Sequence, residues 1–306
     1  TITGGTLNDE VIGGYTASNG DAELNKVTVS ADSGTIAAVT GGYANAGNAS
    51  SNDVTITNGT ITGSVTGGYA NSGTSTGNSV EIANGTIGGM AYGGYVSSEG
   101  TAETNTITVN GGTVARVAGG YTASGDASAN TVTIAGGNVG QTAGGYTESG
   151  AASDNKVNVT AGTISEDLYG GYTAKGAAES NEVTISGGRV DGKIYAGYTA
   201  DGSASNNEIT ITGGTLNEEV YGGYTAAGGS AASNDVTILG GSFNNKNIYG
   251  GYVAAGTGSA SANRVSVDAD TAANIANVYG GYTVGSGGAS SNDVTITNGT
   301  ITGSVT

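Results

Sequence analysis

The chain alternates in short bursts. Segments such as Val54-Thr55-Ile56 and Val183-Thr184-Ile185 place two β-branched apolar residues around one polar residue, and the pattern returns along the whole chain. Period two with β-branched residues predicts short strands with one buried face. The apolar pair points inward and the middle residue faces water. That middle residue is threonine at Thr28, Thr55, Thr108, Thr133, Thr184, Thr210, Thr237 and Thr295. A glycine corner follows each burst, at Gly5, Gly34, Gly59, Gly85, Gly112, Gly137, Gly162, Gly188, Gly214, Gly241 and Gly299. A tight corner of this kind favours a residue that accepts positive φ. In one turn Asp270 takes the glycine's place, which predicts the least regular turn there.

After the corner comes one inward apolar residue: Leu7, Ile36, Ile61, Ile87, Val114, Val139, Ile164, Val190, Leu216, Phe243 or Ile301, with Ala272 in the irregular turn. A third apolar position, such as Val117, Leu168, Ile194 or Val220, stands four residues before the tyrosine of a Gly-Gly-Tyr triplet. By strand parity that tyrosine faces the same way, into the core.

Two markers set the period. The triplet tyrosines are Tyr15, Tyr43, Tyr69, Tyr95, Tyr121, Tyr146, Tyr172, Tyr198, Tyr224, Tyr252 and Tyr282, 25 to 30 residues apart and most often 26. Only the copy ending at Tyr198 departs, with Ala196 as its first residue. Asparagines keep step with them at Asn25, Asn52, Asn78, Asn105, Asn130, Asn155, Asn181, Asn207, Asn234, Asn263 and Asn292. Such a period marks a repeat architecture. The fold class predicted is all-β: a right-handed parallel β-helix of about eleven three-sided turns, about 26 residues each, forming a rod on the order of 50 Å long.

Residues 1–306 therefore read as a single β-solenoid domain. Residues 1–17 nearly reproduce 210–226, and 289–306 reproduce 49–66, so the expectation is a fragment cut mid-repeat at both ends of a longer chain. Sixty glycines and no proline would suggest disorder if they were aperiodic, but their fixed places argue for order. There is no cysteine, which excludes a disulfide framework and thiolate metal sites. The net charge of −17, from 25 acids against 8 bases, argues against nucleic acid as a partner. No apolar run is long enough to insert in a membrane.

The asparagine column reads as a hydrogen-bonded structural ladder; a row of calcium ligands is the alternative. The triplet tyrosines read as a stacked core ladder. A second tyrosine set lies three residues earlier and, by parity, outside. It comprises Tyr92, then Tyr169, Tyr195, Tyr221, Tyr249 and Tyr279 in consecutive turns. An exposed stripe of this kind is the candidate ligand-binding surface, for stacking on sugars, with plain β-propensity as the alternative. The threonine column admits an ice-binding reading, but Glu81, Asn158 and Ser266 interrupt it. For catalysis the chain offers no histidine, three arginines in separate turns (Arg116, Arg189, Arg264), and acid pairs such as Asp9-Glu10, Glu166-Asp167 and Glu218-Glu219 that diverge as neighbours. No catalytic residue, metal or cofactor is expected.

The recurring Asn-x-Val-x-Ile, Gly-Gly-Thr-Val and Val-Tyr-Gly-Gly-Tyr segments resemble repeats in the passenger regions of bacterial autotransporter and haemagglutinin-like adhesins. The likeness runs through the whole chain, and its motifs specify architecture rather than ligand. It implies an extracellular or cell-surface rod with adhesive or biofilm roles. The leading expectation is a non-enzymatic structural stalk or filament that also joins end to end through its strand edges. A glycan-binding adhesive module using the tyrosine stripe comes second, and a polysaccharide-acting β-helix enzyme third.

Overall fold

A computed structural model of the chain describes residues 1–269 and 274–306, and for residues 31–33 the backbone alone. Asp270 and Ala272, expected in the irregular turn, lie outside the described residues. The chain is a parallel β-solenoid of about eleven turns, and the strands of each turn pair in register with those of the next.

One turn shows the plan. Strands Glu182–Ile185, Arg189–Val190, Ile194–Asp201 and Ala204–Ser205 follow each other around the rod. Each pairs with its equivalent one turn on: Val183 with Ile209, Val190 with Leu216, Tyr195 with Tyr221 and Ala204 with Ala231. Val183, Ile185, Val190 and Ile194 point inward and are fully buried. Stacked over successive turns, such residues form one continuous apolar core. The columns are nearly pure in β-branched residues, which pack well on a pleated surface and identically on themselves. Thr142 enters the third core column between Val117 and Leu168, and its hydroxyl donates to the Gly140 carbonyl. Ile275 is buried in register with Ile301 and fills the core next to the irregular segment.

Three strands per turn were expected, and a fourth is present. The small-residue stretch before each asparagine, read from sequence as a loop, contains a two-residue strand. Among the described residues eleven of these strands form a separate parallel sheet. Its inward residue is alanine in every turn except one, where Ser75 stands and donates to the Gly68 carbonyl. From Ala22 to Ala260 this column is buried. The column takes only small side chains, a methyl group or the hydroxymethyl of Ser75.

All eleven corner glycines adopt positive φ, between 77° and 132°. A second left-handed corner lies directly before each asparagine, with φ between 52° and 63°. Glycine fills it only at Gly77; elsewhere ordinary residues are held there, including Leu24 and the β-branched Thr104. The corner turns the main chain so that the following asparagine side chain enters the interior.

Candidate functional site: the asparagine ladder and the tyrosine face

The asparagines bond to one another without interruption from Asn25 to Asn292. Asn181 illustrates the geometry. Its Nδ2 donates to Asn207 Oδ1 at 2.9 Å and to the Ala152 carbonyl at 2.9 Å. Its Oδ1 accepts from Asn155 Nδ2 at 3.0 Å and from the Asn155 main-chain N–H at 3.1 Å. Both donors and both lone pairs of the amide are used. Aspartate would lack the donors, and serine could not reach both neighbours. Among the described residues no group of His, Cys, Asp or Glu is placed to hold a metal ion.

The glycine pair lies against this ladder. A Cβ on Gly170 would lie 2.5 Å from the Ala196 carbonyl oxygen and 3.2 Å from Asn181 Cβ and Val183 Cγ2. One on Gly171 would lie 2.5 Å from the Asn181 amide atoms. Both glycines therefore turn the same way, inward, and the pleat slips by one residue between them. This corrects the expected orientation of the tyrosines. With one residue of parity absorbed, Tyr172 emerges on the same outer face as Tyr169, while Thr173 turns inward and its buried hydroxyl donates to the Gly150 carbonyl.

The eleven triplet tyrosines thus stack on the outside of the rod instead of in its core. Their ring centroids are 4.4–5.4 Å apart, in one unbroken column from Tyr15 to Tyr282. They are half-buried, apart from Tyr15 and Tyr282, which are exposed. The second set, expected as an exposed stripe, is the better covered. Tyr169, Tyr195, Tyr221 and Tyr249 are only 6–8% exposed, and Tyr279 and Tyr92 are intermediate. From Tyr169 to Tyr279 these rings stack at 4.9–5.1 Å. The triplet rings lie edge-on across them: Tyr169 meets Tyr172 at 82° and Tyr198 at 80°. Parallel offset stacking within a column and edge-to-face contact between columns are the two favoured aromatic geometries.

Burial raises the hydroxyl pKa of several rings in this cluster, since the phenolate loses its water. Tyr146 is pushed up to about 12, first by burial and then by Tyr172. Tyr249 also reaches about 12 by burial, although the amide of Asn247 bonded to its hydroxyl works against the rise. Tyr169, Tyr195 and Tyr221 are raised further, again by burial first. At neutral pH these five hydroxyls are neutral donors.

The acid pairs take structural roles at its edge. Glu218 bonds Lys246, Glu219 lies by Lys193, and Asp167 accepts from the Tyr169 hydroxyl and the Lys193 main-chain N–H. The parity slip, the alanine column and the left-handed corner escaped the sequence reading. Alanine three residues before nearly every asparagine was the available signal for the column. Comparison with protein-family models, with curated proteins and with solved structures finds no match.

Proposed function

We propose that the chain is a rigid, non-enzymatic stalk of an extracellular bacterial surface protein, holding other parts of its parent away from the cell. One observation carries this reading: the asparagine ladder runs unbroken through every turn, with the amides of its interior members saturated. A solenoid in which each turn is bound to the next through core, ladder and aromatic stack is stiff along its axis, and its length grows by whole turns. Among the described residues, no buried side-chain nitrogen or oxygen lacks a hydrogen-bond partner. The resemblance to autotransporter passenger repeats supports the surface location.

The test is a deletion of residues 156–207, two complete turns, which rejoins Asn155 to Glu208 in register. Electron micrographs should show rods shorter by about 10 Å and equally straight. Antibody against the chain should label intact producing cells. Rods that bend or collapse after the deletion would refute the stalk, and labelling only after lysis would refute the surface location.

A further inference from the structure

The second tyrosine column has a gap. Ala118 and Ala143 occupy two successive turns in register between Tyr92 and Tyr169. Where the column is complete its rings stand about 5 Å apart, so two rings are missing here, and the two alanines stay buried, 1% and 3% exposed, with Ala143 in one apolar cluster with Tyr169. Tyr92 lies edge-on to Tyr95 at 69° and to Tyr121 at 65°, much as Tyr169 lies to its own neighbours. Its face therefore looks along the rod, into the place of the first missing ring.

Beside this gap lies a cleft of about 200 Å³, walled by Tyr92, Tyr121, Tyr146, Met90, Arg116 and Gln141, with neither alanine in its lining. That is the space of about seven waters, enough for one sugar ring. Arg116 gives it a charge. The other two arginines bond Asp191 and Asp235, whereas Arg116 has no carboxylate within 4 Å among the described residues. Its charge acts on the hydroxyls of both Tyr92 and Tyr146, opposing the rise that burial causes. The nearby Glu148 is engaged by the Tyr121 hydroxyl at 2.7 Å. On the opposite side of Tyr92 a second cleft of about 230 Å³ carries the carboxylate of Glu10 instead of a cation.

An aromatic face, an uncommitted guanidinium and a neutral amide, at the edges of one small cleft, suit a ligand with a flat C–H face, a carboxylate and hydroxyls. We propose that the cleft is a subsite for a uronic acid residue, with the pyranose ring lying on Tyr92, its carboxylate held by Arg116 and a hydroxyl bonded by Gln141. The planar guanidinium matches a carboxylate bidentately, and the C–H face of the sugar lies on the Tyr92 face that has no stacked ring of its own column. The Glu10 cleft repels the same carboxylate, so one ring with two similar clefts discriminates by charge.

The test is titration of the intact chain with methyl β-D-glucuronide and methyl β-D-glucoside, which differ only at the carboxylate, followed by calorimetry and saturation-transfer NMR. The glucuronide should bind saturably, and the glucoside about tenfold or more weakly, as loss of a charge-assisted hydrogen bond implies. Arg116→Gln, at an exposed position, should abolish that preference. The double variant Ala118→Tyr and Ala143→Tyr places rings beside the cleft at the register they hold in later turns and, by crowding it, should abolish binding. Tyr92→Ala serves if that variant does not fold, and it too should lose the glucuronide. No saturable glucuronide binding, equal binding of both sugars, or binding unchanged in folded variants would each overturn the assignment. None of these outcomes alters rod length or straightness, so the stalk reading stands or falls separately.

Discussion

Replacing Asn181 by alanine tests the ladder at its centre. The substitution removes the acceptor of two buried donors, the Asn155 main-chain N–H and the Asn155 Nδ2–H. It also strips a donor from the Ala152 carbonyl, while Asn207 Oδ1 keeps the main-chain N–H of residue 181. A buried donor left without a partner costs about 1–3 kcal/mol, so the two together cost about 2–6 kcal/mol. A water entering the vacated space sets the low end of that range. Asn25 provides the internal control. It is only half-buried, and among the described residues nothing donates to its Oδ1. Asn25→Ala therefore orphans no donor and should cost under about 1 kcal/mol.

Whole-domain stability of about 5–15 kcal/mol makes the central loss easy to detect. It falls on the coupling between adjacent turns, so the unfolding transition should broaden or split as the rod breaks in the middle. Guanidinium denaturation followed by far-UV circular dichroism measures the free energy, and hydrogen exchange at the Asn155 amide locates the break. Equal cost at positions 181 and 25, with Asn155 still protected, would refute the claim that the ladder holds the turns together.

Three further outcomes follow from the same geometry. Gly171→Ala should destabilise by about 2–3 kcal/mol, because the new methyl meets the Asn181 amide, whereas Gly170→Ala should cost much less, since Ala196 already occupies the equivalent place one turn on; paired thermal melts compare them. Thr104→Gly relieves a β-branched residue held at φ 52° and should stabilise by about 0.5–1 kcal/mol, the relief of left-handed strain less the entropy that glycine brings to the unfolded chain; an unchanged or lower denaturation midpoint would refute it. The tyrosine cluster predicts alkaline unfolding. Folded-state hydroxyl pKa values above the ordinary 10.0 mean that the folded form holds its protons longer, so this stabilisation is complete below pH 10 and is lost as pH rises through about 12. Absorbance at 295 nm and circular dichroism should change together, and tyrosines that all ionise near pH 10 in an intact fold would refute it.

The fold was legible because repetition converts a weak local signal into a strong one. A single Val-Thr-Ile burst is ambiguous; eleven at near-constant spacing, each before a glycine corner, leave only a stacked solution. The corner glycines and the core columns at Val183, Ile185, Val190 and Ile194 followed from period two alone. The tyrosine face was misread because parity counting assumes that every residue advances the pleat. Gly170 and Gly171 break that assumption. Neither has a side chain to declare a direction, so a linear pattern looks the same whether they alternate or turn together. What decides between them is the Asn181 amide, which fills the space a Cβ on Gly171 would need and comes from the next turn of the chain. The ladder and the outward tyrosines are therefore one device: the asparagine needs bare main chain beside it, which takes glycine at the second position of the pair and a small residue, Gly170 or Ala196, at the first, and the second glycine turns the following tyrosine outward. A ring that would have been one more core residue becomes part of an aromatic face, and a break in that face, at Ala118 and Ala143, leaves the Tyr92 cleft beside it for a ligand.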